Sequence, residues 1–145
     1  MRRTVCLLAG VLLCVLALGS DAPKEYDGAA EADDIQGTWE LTGFECGPVR
    51  EAPDYKGVVT FRGGTYTASY SDGETIRGSY RLDHARKPSH LDKRWTSGPY
   101  QGRTLECIYR VEGDTLRIAA PDHLEDVRRP QGFDHVIVAV YKRVK

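Results

Sequence analysis

The sequence predicts an all-β fold, a small antiparallel domain of about eight strands built as a sandwich or as an up-and-down barrel. Three observations carry that prediction. From Ile35 to the C-terminus, short runs alternate apolar and polar residues with the period of two that a half-buried strand requires. Turn residues recur between the runs, among them Gly63-Gly64, Asp72-Gly73 and Gly113-Asp114, at hairpin spacing. Nowhere is the helical period of 3.6 sustained.

The elements follow in order. Gln36 to Thr42 opens the domain, with Trp39 and Leu41 on one face and Thr38, Glu40 and Thr42 on the other. Gly43 is read as a bulge, because Phe44 and Cys46 resume the apolar pattern one residue out of phase. Val58 to Phe61 and Thr65 to Tyr70 flank Gly63-Gly64, which supplies the positive φ of a tight hairpin. Thr75 to Leu82 alternates cleanly, Ile76, Tyr80 and Leu82 inward and Arg77, Ser79 and Arg81 outward. Ser89 to Trp95 has only Leu91 and Trp95 as apolar members and is expected to be a short edge strand. Thr104 to Val111 and Thr115 to Ala119 are strands joined by Glu112-Gly113-Asp114, and Pro121 to Phe133 is polar and loop-like. Val136 to Arg143 is almost continuously apolar, as expected of a strand covered on both faces or central to the sheet.

Ahead of this domain, Arg2-Arg3, the uncharged apolar run from Thr4 to Gly19 and its small terminal residues have the three parts of a secretory signal. The run is short against the ~20 residues of a bilayer-spanning helix, so cleavage before Ser20, or after Ala22, is expected and no stable membrane span remains. Leu13 stands where a lipid-attachment site at Cys14 would need a small residue. The chain of 145 residues therefore divides into a signal over 1–19, a flexible tether over 20–34 and one domain over 35–145. Its address is exported, periplasmic or extracellular. Of four cysteines, Cys46 and Cys107 stay with the domain, free to form one disulfide or to remain reduced.

The formal charge is −1, moving to about −3 once Arg2 and Arg3 leave, with acids and bases interspersed. Such a surface lacks the clustered basic face that nucleic acid requires. His84, His90, His123 and His135 each lie beside or near an aspartate but show no metal-ligand spacing, so neither a metal nor another cofactor is expected. No nucleophile elbow or Cys-His spacing marks an enzyme.

Several segments together carry a resemblance: Ile35-Gln36-Gly37-Thr38-Trp39-Glu40-Leu41, Tyr80-Arg81-Leu82-Asp83, Lys87-Pro88 with His90-Leu91-Asp92, Ile108 to Leu116, and Val140 to Val144. From about Asp34 to Lys145 the chain resembles an uncharacterised family of small exported domains abundant in planctomycete bacteria. Its Gly37-Thr38-Trp39 opening is similar to the Gly-x-Trp signature of lipocalins and fatty-acid-binding proteins. The resemblance implies a lipocalin-like up-and-down barrel in which a basic residue of the last strand, here Arg143, packs over Trp39 and ties the first strand to the last. It implies a fold more than a ligand.

Phe61, Tyr66, Tyr70, Tyr80 and Tyr109 share the inward phase of their strands and are the candidate lining of a binding cavity, with Ala68 and Cys107 beside them. The plainer reading of the same residues is an ordinary core. The functional expectation is a domain binding a small apolar or amphipathic molecule. The alternative is a side-chain-filled barrel presenting Pro121 to Phe133 and Lys93 to Gly102 to a protein partner.

Overall fold

The computed structural model describes residues 34–121 and 128–145. The signal, nearly all of the tether, and the Asp122-His123 pair lie outside them. The described chain is all-β: β1 (Gly37–Cys46), β2 (Val49–Glu51), β3 (Gly57–Arg62), β4 (Thr65–Tyr70), β5 (Thr75–Asp83), β6 (Ser89–Trp95), β7 (Thr104–Glu112), β8 (Thr115–Ala119) and β9 (Val138–Arg143). From β3 to β9 each strand pairs antiparallel with the next, and β9 returns to β1 over Trp39↔Arg143 to Glu45↔Val138. The result is a closed, up-and-down barrel of eight strands with β2 added as a small flap. No described helix is long and apolar enough to cross a membrane.

Closure depends on β1 serving two neighbours on one side. Gly37 to Glu40 pairs with β3, whereas Phe44 to Cys46 folds back on β2. The switch falls at the bulge expected near Gly43: the register with β9 shifts between Leu41 and Gly43, and the Thr42 hydroxyl donates to the Val140 carbonyl at 3.1 Å. A side chain at Gly43 would meet the Glu51 carbonyl oxygen at 2.9 Å, so the flap can close only on glycine.

Alternate connections define two ends of the barrel. At one end lie the chain entry before β1, the Gly63-Gly64 turn, the β5–β6 and β7–β8 turns and the exit after β9. At the other lie the β2 flap, the Asp72-Gly73 turn and the long β6–β7 loop. Gly63 and Gly64 both take positive φ, 55° and 79°, the mirror-image turn whose twist suits a tight hairpin.

The sheet is covered on both faces along one wall. Inside runs the main core, from Ile35 and Trp39 through Leu91 and Tyr109 to Leu116 and Ile118. Outside, Ile108, Ala119 and Val138 form a second cluster with Phe133 and Val136 of the segment before β9. Arg129 pins that segment to the wall, donating to the Cys107 carbonyl and to Asp92 Oδ1 at 2.6 Å each, with Glu106 Oε1 at 3.4 Å. Arg110 lies 5.0 Å from the Phe133 ring centroid. The double cover explains the apolar run that opens β9, whose Val138 and Val140 are buried on the outer side.

Two expectations are corrected. β6 is not an edge strand: closure gives it β5 on one side and β7 on the other, and its low apolar content reflects Asp92 turned outward to Arg129. Cys46 and Cys107 form no disulfide. Cys46 sits exposed at the tip of the β1–β2 flap, whereas Cys107 is buried in mid-β7 on the interior face, and both thiols are free.

Candidate functional site

The barrel interior has two unlike halves. At the closed end, inward side chains seal against one another: Trp39, Phe61, Tyr66, Tyr80, Leu91, Tyr109 and Leu116 are each at most 4% exposed. Phe61 meets Tyr80 edge to face at 5.1 Å and Tyr66 at 6.0 Å, geometries that add attraction beyond simple burial. Leu82 and Val111 form the part-exposed rim below this floor.

Trp39 is fixed from three directions. Its indole N–H donates to the Ile35 carbonyl at 2.7 Å. The Arg143 guanidinium lies 4.0 Å from its ring centroid and donates to the carbonyls of Gln36 at 2.7 Å and Asp34 at 3.2 Å. A guanidinium over an indole contributes about 0.5–2 kcal/mol. Gly37 makes the approach possible, since its φ is 117° and an added Cβ would stand 3.0 Å from the guanidinium. The Gly-x-Trp opening and the distant arginine are thus one device. Beside it, the Tyr109 hydroxyl meets Asp34 Oδ1 at 3.2 Å and His84 Nδ1 at 2.9 Å.

At the open end the inward positions are Phe44, Tyr70, Ile76, Trp95, Leu105 and Ala139, with Tyr141 one step deeper. All are apolar or aromatic, and all are part-exposed although they face the interior. Loop residues extend the ring: Tyr55 packs on Tyr70 at 5.6 Å, and Tyr100 on Trp95 at 5.3 Å. Tyr55 and Tyr100 are themselves 42% and 39% exposed. The β6–β7 loop that carries Tyr100 is held by Gly102 N donating to the Trp95 carbonyl and Thr96 N to the Arg77 carbonyl, at 2.8 and 2.9 Å.

Two glycines let tyrosines lie flat against the wall. The Tyr66 ring covers its cross-strand partner Gly78, where a Cβ would fall 2.4 Å from the ring, and the Tyr70 ring covers its own partner Gly57, at 3.2 Å. Aromatic cover of a cross-strand glycine fixes both ring position and register.

Polar ends converge inside. Burial pushes the pKa of Tyr66 upward, with Cys107 and Tyr70 adding to the shift, and Tyr141 is raised by burial and then by Tyr70, Tyr55 and Cys107. The Cys107 thiol is likewise raised by burial, opposed by Lys93 and Arg129. The Tyr66 hydroxyl is buried without a hydrogen-bond partner. Lys93 faces inward too, directly opposite Tyr80 on one side and Leu105 on the other.

Of the five aromatic residues that the sequence pattern singles out as lining, Phe61, Tyr66, Tyr80 and Tyr109 belong to the sealed half and Tyr70 to the open one. Phe44, Trp95, Leu105, Tyr141 and Lys93 were not singled out. A strict period of two through Leu91, Lys93 and Trp95 places Lys93 on the inner face, which was the available signal. The described histidines do not converge: His84 binds Tyr109, His90 faces Asp83 across the β5–β6 pair, and His135 lies in the segment before β9. Among the described residues no three His, Cys, Asp or Glu side chains group as a metal site. Beside the mouth, a cleft of about 420 Å³ opens between Phe44, Cys46 and Val49 of the flap and Ile137.

Fold and interior together define a closed antiparallel barrel with a sealed floor and an aromatic mouth. No protein-family model, curated protein or solved structure matches the chain.

Proposed function

We propose that this chain is an exported binding domain that takes a small apolar or amphipathic molecule through the open end of its barrel. The carrying observation is the ring of inward-facing Phe44, Tyr70, Ile76, Trp95, Leu105 and Tyr141 that stays part-exposed while the opposite half is sealed. Apolar surface turned to the inner face and left wet is what an apolar ligand gains by covering, at roughly 25 cal/mol per Å². A few polar ends among aromatic walls are the usual composition of a small-molecule site.

The test is a titration with Nile red, a neutral apolar dye. Wild type binds it with a rise in dye fluorescence, Trp95→Ala and Tyr70→Ala weaken binding, and Val58→Asp on the outer face of β3 leaves it unchanged. Absence of binding, or loss through Val58→Asp alone, overturns the proposal. Export is supported by the Arg2-Arg3 and apolar N-terminus and by the resemblance to exported planctomycete domains. N-terminal sequencing of protein recovered outside the cytoplasm is expected to begin at Ser20, and recovery of intact Met1 there refutes cleavage.

A further inference from the structure

We infer that the outer wall of β3–β6 is a docking surface for an acidic polysaccharide, a hydrophilic polymer carrying repeated sulfate or carboxylate groups. The inference goes beyond the binding proposal and does not depend on whether the barrel holds a ligand. The outward phase of these strands carries Arg62 on β3, Arg77 and Arg81 on β5 and Arg94 on β6, all exposed. Strand register gathers them: Arg62, Thr65, Ser79 and Arg94 form one cross-strand row, and Arg77 and Arg81 flank Ser79 along its own strand. With about 4.8 Å between strands and about 7 Å for two residues along one, the four Cα positions lie within about 15 Å of one another. No run of sequence shows the cluster, because three strands contribute to it.

Counter-charge is what this wall lacks. Among the described residues Arg62, Arg77 and Arg94 form no ion pair. The acids in the outward phase of β5 and β6 are held by cations from elsewhere, Asp83 by Arg86 at 3.5 Å and Asp92 by Arg129 at 2.6 Å. On the opposite wall the arginines are matched instead, Arg110 with Glu112 and Arg117 with both Glu45 and Glu112. Like charges gathered this closely repel one another. A polyanion laid across them turns that repulsion into attraction and releases its own condensed counterions.

The rest of the wall selects the kind of polymer. Thr60, Thr65, Thr67 and Ser79 place hydroxyls between the arginines, and Val58 is the one large apolar side chain in the outward phase of these strands. A protein interface is built around an apolar core and a lipid surface takes up apolar side chains; one valine supplies neither. Single-stranded nucleic acid stacks its bases on aromatic rings, and the rings of β3–β6 all lie on the inner face. Nor does the wall project a helix or ribbon that could enter the groove of a duplex. Hydroxyls that both donate and accept suit sugar hydroxyls, and guanidinium forks bind sulfate or carboxylate oxygens in pairs.

Calorimetric titration with dextran sulfate and polygalacturonate, and with unmodified dextran as the uncharged control, tests this. Wild type is expected to bind at least one of the two polyanions and not dextran. That affinity should fall about ten- to a hundredfold between about 50 and 200 mM salt, as the release of a few counterions requires. Arg62→Gln, Arg77→Gln and Arg94→Gln combined should weaken polyanion binding at least about tenfold, and each alone about two- to fivefold. The single variants serve if circular dichroism shows that the triple variant does not fold. Arg110→Gln, on the opposite wall, is expected to leave the affinity unchanged. Failure of wild type to bind either polyanion, full affinity in the triple variant, or an equal loss through Arg110→Gln overturns the inference. Tighter binding to a DNA oligonucleotide or to phosphatidylglycerol vesicles at equal charge concentration overturns it too. Nile red reads the mouth separately: its binding is expected to survive the triple substitution, and its absence in wild type would sink the binding proposal alone.

Discussion

The two ends of the barrel are made from the same kinds of residue and do opposite things with them. The closed end packs Trp39, Phe61, Tyr66, Tyr80 and Tyr109 until almost nothing is left accessible, with Arg143 as a lid over the tryptophan. The open end places Phe44, Tyr70, Trp95 and Tyr141 on the same inner face and leaves them part-exposed. What differs is the neighbourhood. Tight turns and the Ile35 segment close over the floor, whereas the β2 flap and the β6–β7 loop stand beside the mouth. Aromatic content alone therefore does not distinguish a core from a binding surface; depth along the strand does.

Substituting the two tryptophans breaks this comparison most directly. Trp39→Ala removes a fully buried side chain and leaves Arg143 without its platform, so urea unfolding is expected to show a loss of about 3–5 kcal/mol. Gly78→Ala should cost about 2–3 kcal/mol by the same measurement, because the new methyl group meets both the Arg94 carbonyl and the Tyr66 ring. In Tyr66→Phe the same ring still covers Gly78, so Gly78→Ala is expected to cost as much in that background, which separates ring crowding from the hydroxyl.

Alkaline titration sharpens the same contrast. Tyr66, Tyr70 and Tyr141 hold their protons above the ordinary tyrosine value of about 10 because burial disfavours the phenolate. The unfolded chain gives up these protons first, so stability present below pH 10 is lost as the pH rises beyond it. The slope is about 1.4 kcal/mol per pH unit for each such tyrosine. Tyr66→Phe should make the decline shallower by one such share, and an unchanged slope would refute the assignment. At the mouth, Trp95→Ala should cost only about 1–2 kcal/mol while weakening dye binding. A thiol reagent gives the smallest readout: exposed Cys46 reacts in the folded protein, and buried Cys107 only on unfolding.

Much of the architecture was legible because it is local. The alternation of Thr75 to Leu82, the Gly63-Gly64 turn and the bulge near Gly43 are each written within a few residues. The Gly37 to Trp39 opening and Arg143 are far apart, and their meeting was expected only through resemblance to barrels closed in this way. Closure itself has no local signature, which is why β6, poor in apolar residues, read as an edge. The three-residue β2 is too short for a period to register. Tyr66 and Tyr70 show the limit for the site: they share a strand and a face, yet one lies on the floor and the other at the mouth. A period of two reports which side a residue faces and says nothing of its height.

The β2 flap has a consequence for how the protein behaves when concentrated. Ring closure leaves the barrel strands no continuous free row of backbone donors and acceptors, and β2 is the strand that pairs on one side only. It is three residues long, all exposed, contains Arg50 and Glu51, and lies between Pro48 and Pro53. Prolines and charges on so short an edge give a neighbouring chain little to extend. The segment beside the mouth thus also stops the sheet from growing, and it favours a barrel that remains dispersed at high concentration.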